Sequence, residues 1–171
     1  MFRIQEDHLA TNRATRSSGF SLIELLIVVA VILIIAAIAI PNFLRSKMAA
    51  NEAAAIENTR TITTSNVVYS TTYGVGYVAN LAKMATPSPG PVTANAAGLL
   101  DNILAGGTKS GYVYTYLAGP VSAGGTIDAY TLQADPLTQN ITGTRHFFVD
   151  ATGVIRFNSS AAAGPTDTPV Q

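Results

Sequence analysis

The chain is predicted to be an α+β protein: a long N-terminal helix, its first half membrane-embedded, packed on a small antiparallel β-meander of about four strands. Three observations predict this. Residues 20–40 form an apolar run interrupted only by Ser21 and Glu24. A helical pattern then continues as far as Tyr73, where Gly74 and Gly76 follow. Beyond residue 110 the chain breaks into short β-rich segments separated by Gly- and Asp-containing turns such as Ala123-Gly124-Gly125 and Asp150-Ala151-Thr152-Gly153.

At about 1.5 Å per residue the run over 20–40 spans roughly 30 Å, one hydrocarbon core. A secretory signal peptide has an apolar region of about 7–15 residues and is cut at small residues behind it. Ala37-Ile38-Ala39 mimics such a site, but the run is too long and carries Glu24. An Asp or Lys at the centre of a membrane helix costs roughly 2.5–3.5 kcal/mol on insertion scales, so an intramembrane charge marks a functional position. At Pro41 the helix loses an N–H and the ring clashes with the carbonyl four residues back. That costs about 3 kcal/mol in a helix interior, so a helix kink is expected there.

Residues 41–73 read as the amphipathic second half of the helix, giving a total length of about 80 Å. Ile62, Tyr69 and Tyr73 lie at i, i+7 and i+11, one face expected to pack on the sheet. Residues 74–110 read as a connecting loop, with 86–91 extended and a short helix across 96–105 closed by Gly106-Gly107. The sheet is placed at 111–158, with strands over 112–118, 127–134, 145–150 and 154–158. Residues 159–171 are small and polar without an apolar period and read as a flexible C-terminal tail.

Ten Lys and Arg balance ten Asp and Glu, and no basic run occurs, so no specific nucleic acid is expected as a partner. The chain has no cysteine, which excludes disulfides, thiolate zinc sites and thiol nucleophiles. His8 lies in the first segment, and His146, beside Phe147 in a strand, reads as structural. Gly106-Gly107-Thr108-Lys109-Ser110 is only superficially a phosphate loop, because no glycine directly precedes the lysine and no strand precedes the loop. Asp128, Asp135 and Asp150 fall in separate turns and do not suggest a calcium cluster. Asn140-Ile141-Thr142 and Asn158-Ser159-Ser160 match the N-glycosylation pattern and read as unmodified turns. No catalytic residue, cofactor-binding residue or metal site is assigned, and the chain is not expected to be an enzyme.

The segment Gly19-Phe20-Ser21-Leu22-Ile23-Glu24-Leu25-Leu26 resembles the prepilin signature of type IV pilins and their pseudopilin relatives. The resemblance implies that residues 1–19 are a leader, cleaved between Gly19 and Phe20 by a membrane-embedded aspartyl peptidase, the prepilin peptidase. The same enzyme would N-methylate Phe20, and the hydrophobic helix would stay on the mature chain. The leader is longer than the familiar short form and ends in Arg16-Ser17-Ser18. Many pilins close a C-terminal loop with a disulfide, which this chain cannot do. Arg3, Arg13 and Arg16 before the run and Arg45, Lys47 and Arg60 after it nearly tie the positive-inside count; a cytoplasmic leader is implied by the resemblance alone.

For assembly, the resemblance implies that the Phe20 amine pairs with Glu24 of a neighbouring subunit and that Pro41 marks a segment able to unwind. The expected function is that of a structural subunit of a type IV pilus, a filament of the kind that serves adhesion and motility. Its partners would be identical subunits in a homopolymer, the prepilin peptidase, the inner-membrane assembly platform and assembly ATPase, and the membrane before assembly. It would reside in the bacterial inner membrane as a precursor and then in a cell-surface pilus. One alternative is a major-like pseudopilin of a type II secretion system, in a periplasmic pseudopilus. Another, of a different class, is a monomeric membrane-anchored envelope protein.

Overall fold

The structure, a computed structural model, describes residues 19–170. Of the expected leader only Gly19 falls among them, so its remaining residues lie outside the described part. The chain divides into two compact units, Met1–Ile40 and Pro41–Gln171. A helix, α1, runs over Leu22–Tyr73, in agreement with the long helix expected from the sequence.

In the first unit the described residues are helical from Leu22, and large side chains from Leu22 to Ile40 are exposed. The helix is long and apolar enough to cross a membrane, and none of its most apolar window is buried. An apolar surface this extensive marks a lipid or protein contact.

In the second unit, α1 from Asn51 to Tyr73 lies against a six-stranded sheet whose strand order follows the chain. The strands are β1 (Thr108–Lys109), β2 (Tyr112–Ala118), β3 (Tyr130–Pro136), β4 (His146–Asp150), β5 (Arg156–Asn158) and β6 (Thr168–Pro169). Every neighbouring pair is antiparallel, with Tyr112 opposite Pro136, Ala134 opposite Phe147 and His146 opposite Asn158. This is the expected meander with two more strands than counted, both of them two-residue edges too short to carry an alternating pattern.

Ala55, Ile62 and Tyr69 recur every seven residues along α1 and are buried in one core with Tyr112, Tyr114, Tyr130, Leu132, Phe147 and Val149. Tyr73 is partly buried at the margin, its ring centroid 4.9 Å from that of Tyr69. The face is not simply apolar, because Asn58, Thr59, Ser65 and Asn66 are buried between those residues. Most of their polar atoms find partners, which makes such burial tolerable, but Asn66 Nδ2 is buried with no partner among the described residues. Asn58 Nδ2 donates to Tyr114 Oη at 3.0 Å, Ser65 Oγ to the Leu99 carbonyl at 3.2 Å, and Tyr116 Oη to Asn66 Oδ1 at 3.1 Å.

Several segment boundaries differ from expectation: the strands expected from 145 and 154 start at His146 and Arg156, β1 falls in the segment expected as the 74–110 loop, and three further differences have a visible cause. The helix expected across 96–105 is confined to α2, Asn102–Ala105. Upstream, Ala97, Leu99 and Leu100 donate their N–H groups to Lys83 and Met84 carbonyls, and Gly98 has φ of 66°, so no helical ladder can form there. The strand expected from 127 starts at Tyr130, because Ile127 is taken by the exit from α1: Tyr77 N donates to Ile127 O at 2.7 Å and Ile127 N to Val75 O at 3.1 Å. Gly76, with φ of 77°, sits where a Cβ would collide with the Ile127 backbone. Finally, the segment expected as a flexible tail is laid on the sheet. Asp167 Oδ2 accepts from Gly164 N at 2.8 Å, Arg156 Nη1 donates to Asp167 O at 2.9 Å, Ala163 is buried, and β6 completes the edge. Backbone and carboxylate hydrogen bonds hold it, and an apolar periodicity does not register these.

Candidate functional site

The polar elements of the apolar helix lie at its start. Leu25 N donates to Ser21 O at 3.2 Å, the first helical bond, and Ser21 N donates to Glu24 Oε2 at 2.9 Å. Ser21 is therefore the N-cap and Glu24 its third helical residue, reaching back to the cap N–H as in a capping box. A carboxylate in the first turn also faces the positive end of the helix dipole. Among the described residues Oε1 receives no donor, and it can accept a further one. Gly19 and Phe20 precede the cap without regular structure, Phe20 is 77% exposed, and among the described residues nothing lies within 4 Å of a Cβ added at Gly19.

A role for Glu24 within its own subunit, offsetting its own terminus and the helix dipole, is open from the sequence; the structure adds the bond to the Ser21 N–H, which the sequence reading did not place. Its signal was the Ser21-x-x-Glu24 spacing. Phe20 and Glu24 are drawn together only through the cap, since the bond made by Glu24 is to Ser21. Pro41 lies inside α1, with helical residues on both sides; it removes a donor from the ladder without ending the helix.

A second polar constellation joins α1 to the β3–β4 loop. Glu52 Oε1 accepts from Thr144 N at 2.8 Å and Arg145 N at 3.2 Å, while Oε2 accepts from Arg145 Nε at 2.7 Å. One residue earlier, Asn51 Nδ2 donates to Thr142 O at 2.8 Å. Burial of the Glu52 carboxyl works to raise its pKa, but the Thr144 and Arg145 hydrogen bonds and the guanidinium charge outweigh it and hold the group below the usual carboxylate range. The Arg145 guanidinium carbon also lies 5.4 Å from the ring centroids of both Phe147 and Phe157. Nothing in the local sequence links residues 52 and 145, so this clamp was not legible.

Most of the remaining polar candidates have partners of their own. His146 Nδ1 lies 2.6 Å from Asp135 Oδ1, Lys109 Nζ pairs with Asp101 Oδ2 at 2.8 Å, and Asp150 accepts from Thr152 N at 2.9 Å. Gly106 and Gly107 close α2 rather than cradle an anion: the Gly106 N–H returns to Asn102 O at 3.1 Å.

The family model described as the prokaryotic N-terminal methylation motif, the signature of type IV pilins and prepilins, matches residues 14–40. No curated protein and no solved structure matches the chain.

Proposed function

From the premise that this is a prepilin-type protein carrying the N-terminal methylation signature, we propose that it is the structural subunit of a type IV pilus. The prepilin peptidase cuts between Gly19 and Phe20 and methylates the new amine. The subunit waits in the inner membrane on its apolar helix, and the assembly platform and its ATPase then draw it into a homopolymer.

The observation that carries this reading is the placement of Glu24. It is the one carboxylate in the exposed apolar run of residues 20–44, it sits in the first turn of α1, and among the described residues its Oε1 receives no donor. Cleavage before Phe20 creates an ammonium beside the Ser21 cap. In hydrocarbon, neither that charge nor a carboxylate is stable alone. A neighbour's amine on Glu24 Oε1 satisfies both and sets the axial register between subunits. The same exposed apolar surface serves first against lipid and then against other helices. Pro41, with its missing donor, is the position at which the helix bends or stretches as subunits pack.

Mass spectrometry of the N-terminal peptide from sheared surface filaments tests the proposal. It should begin at Phe20 with a methylated amine. A terminus after Ala39, or an intact Met1 in filaments, would refute it. Recovery of the mature chain only in periplasmic assemblies would favour the pseudopilin alternative instead.

A further inference from the structure

We propose that the cleft at the exit of α1 binds a small carboxylate carried on a single apolar ring, with Lys83 pairing the carboxylate. The cleft lies wholly within the second unit and does not depend on how subunits assemble. Its volume is about 260 Å3, and its walls come from five stretches of chain: Tyr69 on α1, the exit over residues 75–79, Lys83 in the short 3₁₀ helix Leu81–Met84, Ala94 with Asn95, and the β2–β3 connection over residues 121–127. These walls are tied to one another. Tyr69 Oη donates to Ala94 O at 2.8 Å, Tyr77 N to Ile127 O at 2.7 Å and Ile127 N to Val75 O at 3.1 Å, while the Ser122 and Thr126 hydroxyls, 2.8 Å apart, close the β2–β3 connection. The Tyr77 ring is held edge-on to Tyr130, with centroids 4.8 Å apart. A cleft fixed in this way is formed before a ligand arrives, as small-molecule sites usually are.

The residues lining the cleft select the ligand. Four basic residues fall within 74–170, and three of them are engaged: Lys109 with Asp101, Arg145 with Glu52, and Arg156 with the Asp167 carbonyl. Lys83 is the exception. It is half-buried, and among the described residues its ammonium has no partner. A cation partly withdrawn from water is stabilised by an anion, and the pairing strengthens where the surroundings are apolar. Val75, Val121 and Ile127 supply such surroundings, and no carboxylate lines the cleft to neutralise Lys83 internally. Among the described residues the Tyr77 hydroxyl and the Asn95 side-chain amide also make no hydrogen bond, so donors and acceptors stand in the same cleft as the charge. One cation balances one negative charge, which selects a carboxylate over a phosphate dianion, whose oxygens call for several donors or a cluster of cations. Sites for drug-sized ligands run to roughly 300–1,000 Å3; this one is smaller and suits one ring with its carboxyl group.

Benzoate is the probe, titrated into the full-length chain in mild detergent and read by saturation-transfer nuclear magnetic resonance, with protein-free micelles as the blank. A ligand this small should bind in the roughly millimolar range. Lys83→Met keeps the length of the side chain and removes its charge, and it should weaken binding at least about tenfold, the scale of one hydrogen bond to a charged group. Val121 is exposed at the cleft, so Val121→Glu sets a negative charge there without touching the core and should weaken binding severalfold. Lys109→Met removes a cation outside the cleft and should change nothing. Tyrosine near-ultraviolet circular dichroism at native intensity identifies the folded variants, and if Lys83→Met falls short of it, Val121→Glu carries the test. No saturable signal from the native chain, or equal binding by the native chain and the folded charge variants, would overturn the site. Benzamide binding as tightly as benzoate, or inorganic phosphate displacing benzoate at equal concentration, would overturn the carboxylate assignment.

Discussion

Replacing Glu52 by alanine removes the acceptor for three donors at once, the Thr144 and Arg145 N–H groups and Arg145 Nε. The Glu52 side chain is 12% exposed and that of Arg145 34%. Breaking one side of a fully buried pair costs roughly 3–5 kcal/mol and an exposed pair well under 1 kcal/mol. The partial exposure of Arg145 lets water reach the abandoned guanidinium, so the expected loss is about 2–3 kcal/mol, comparable to one or two hydrogen bonds to a charged group. The assay is urea unfolding of the full chain in mild detergent, followed by tyrosine near-ultraviolet circular dichroism, since the buried tyrosines report the helix–sheet core. The pH dependence adds a second readout. The folded-state pKa of Glu52 lies below its ordinary value of 4.5, so its contribution is fully present above pH 4.5 and fades as pH falls through the folded value. The gap between native chain and Glu52→Ala should be constant near neutrality and close progressively below pH 4.5. A loss under about 0.5 kcal/mol, the size of an exposed pair, or a gap that does not change with acid, would refute the clamp as a stabilising element.

Three further outcomes are expected. Glu24→Gln should leave cleavage and membrane insertion near normal while sheared filament yield falls and the membrane pool of mature subunit rises, because the amide cannot compensate the Phe20 ammonium; native filament amounts at equal expression would reduce Glu24 to a helix cap. Pro41→Ala restores one backbone donor to the helix, and filaments should become fewer or stiffer; unchanged local helix geometry in cryo-electron microscopy of the variant filament would place the bend elsewhere. Ile62→Ala, at a position with no exposure, should cost about 2–5 kcal/mol in the same urea assay, and a change below 1 kcal/mol would show that the helix does not pack there as described.

The sequence by itself determined the fold class of the protein and its long N-terminal helix. An apolar run with a single early carboxylate, then a helical pattern ending in Gly74 and Gly76, are local signals, and local signals survive without knowledge of the fold. The antiparallel order was legible for the same reason, since short strands separated by tight turns pair with their neighbours in sequence. The Ser21–Glu24 cap was also within reach, as its partners stand three residues apart. What only the tertiary structure decided are the contacts between distant residues: Glu52 with Arg145, Asn66 with Tyr116, Asn58 with Tyr114. Asn58, Thr59, Ser65 and Asn66 made the inner face of α1 look weakly amphipathic, because a buried polar residue is recognisable only once the tyrosine or carbonyl that satisfies it is in place. The end of the chain followed the same logic: with no apolar period of its own, it is ordered by the Asp167 carboxylate and by pairing to β5. Periodicity reads hydrophobic burial along one element, whereas hydrogen bonds across elements depend on the geometry that burial has already created.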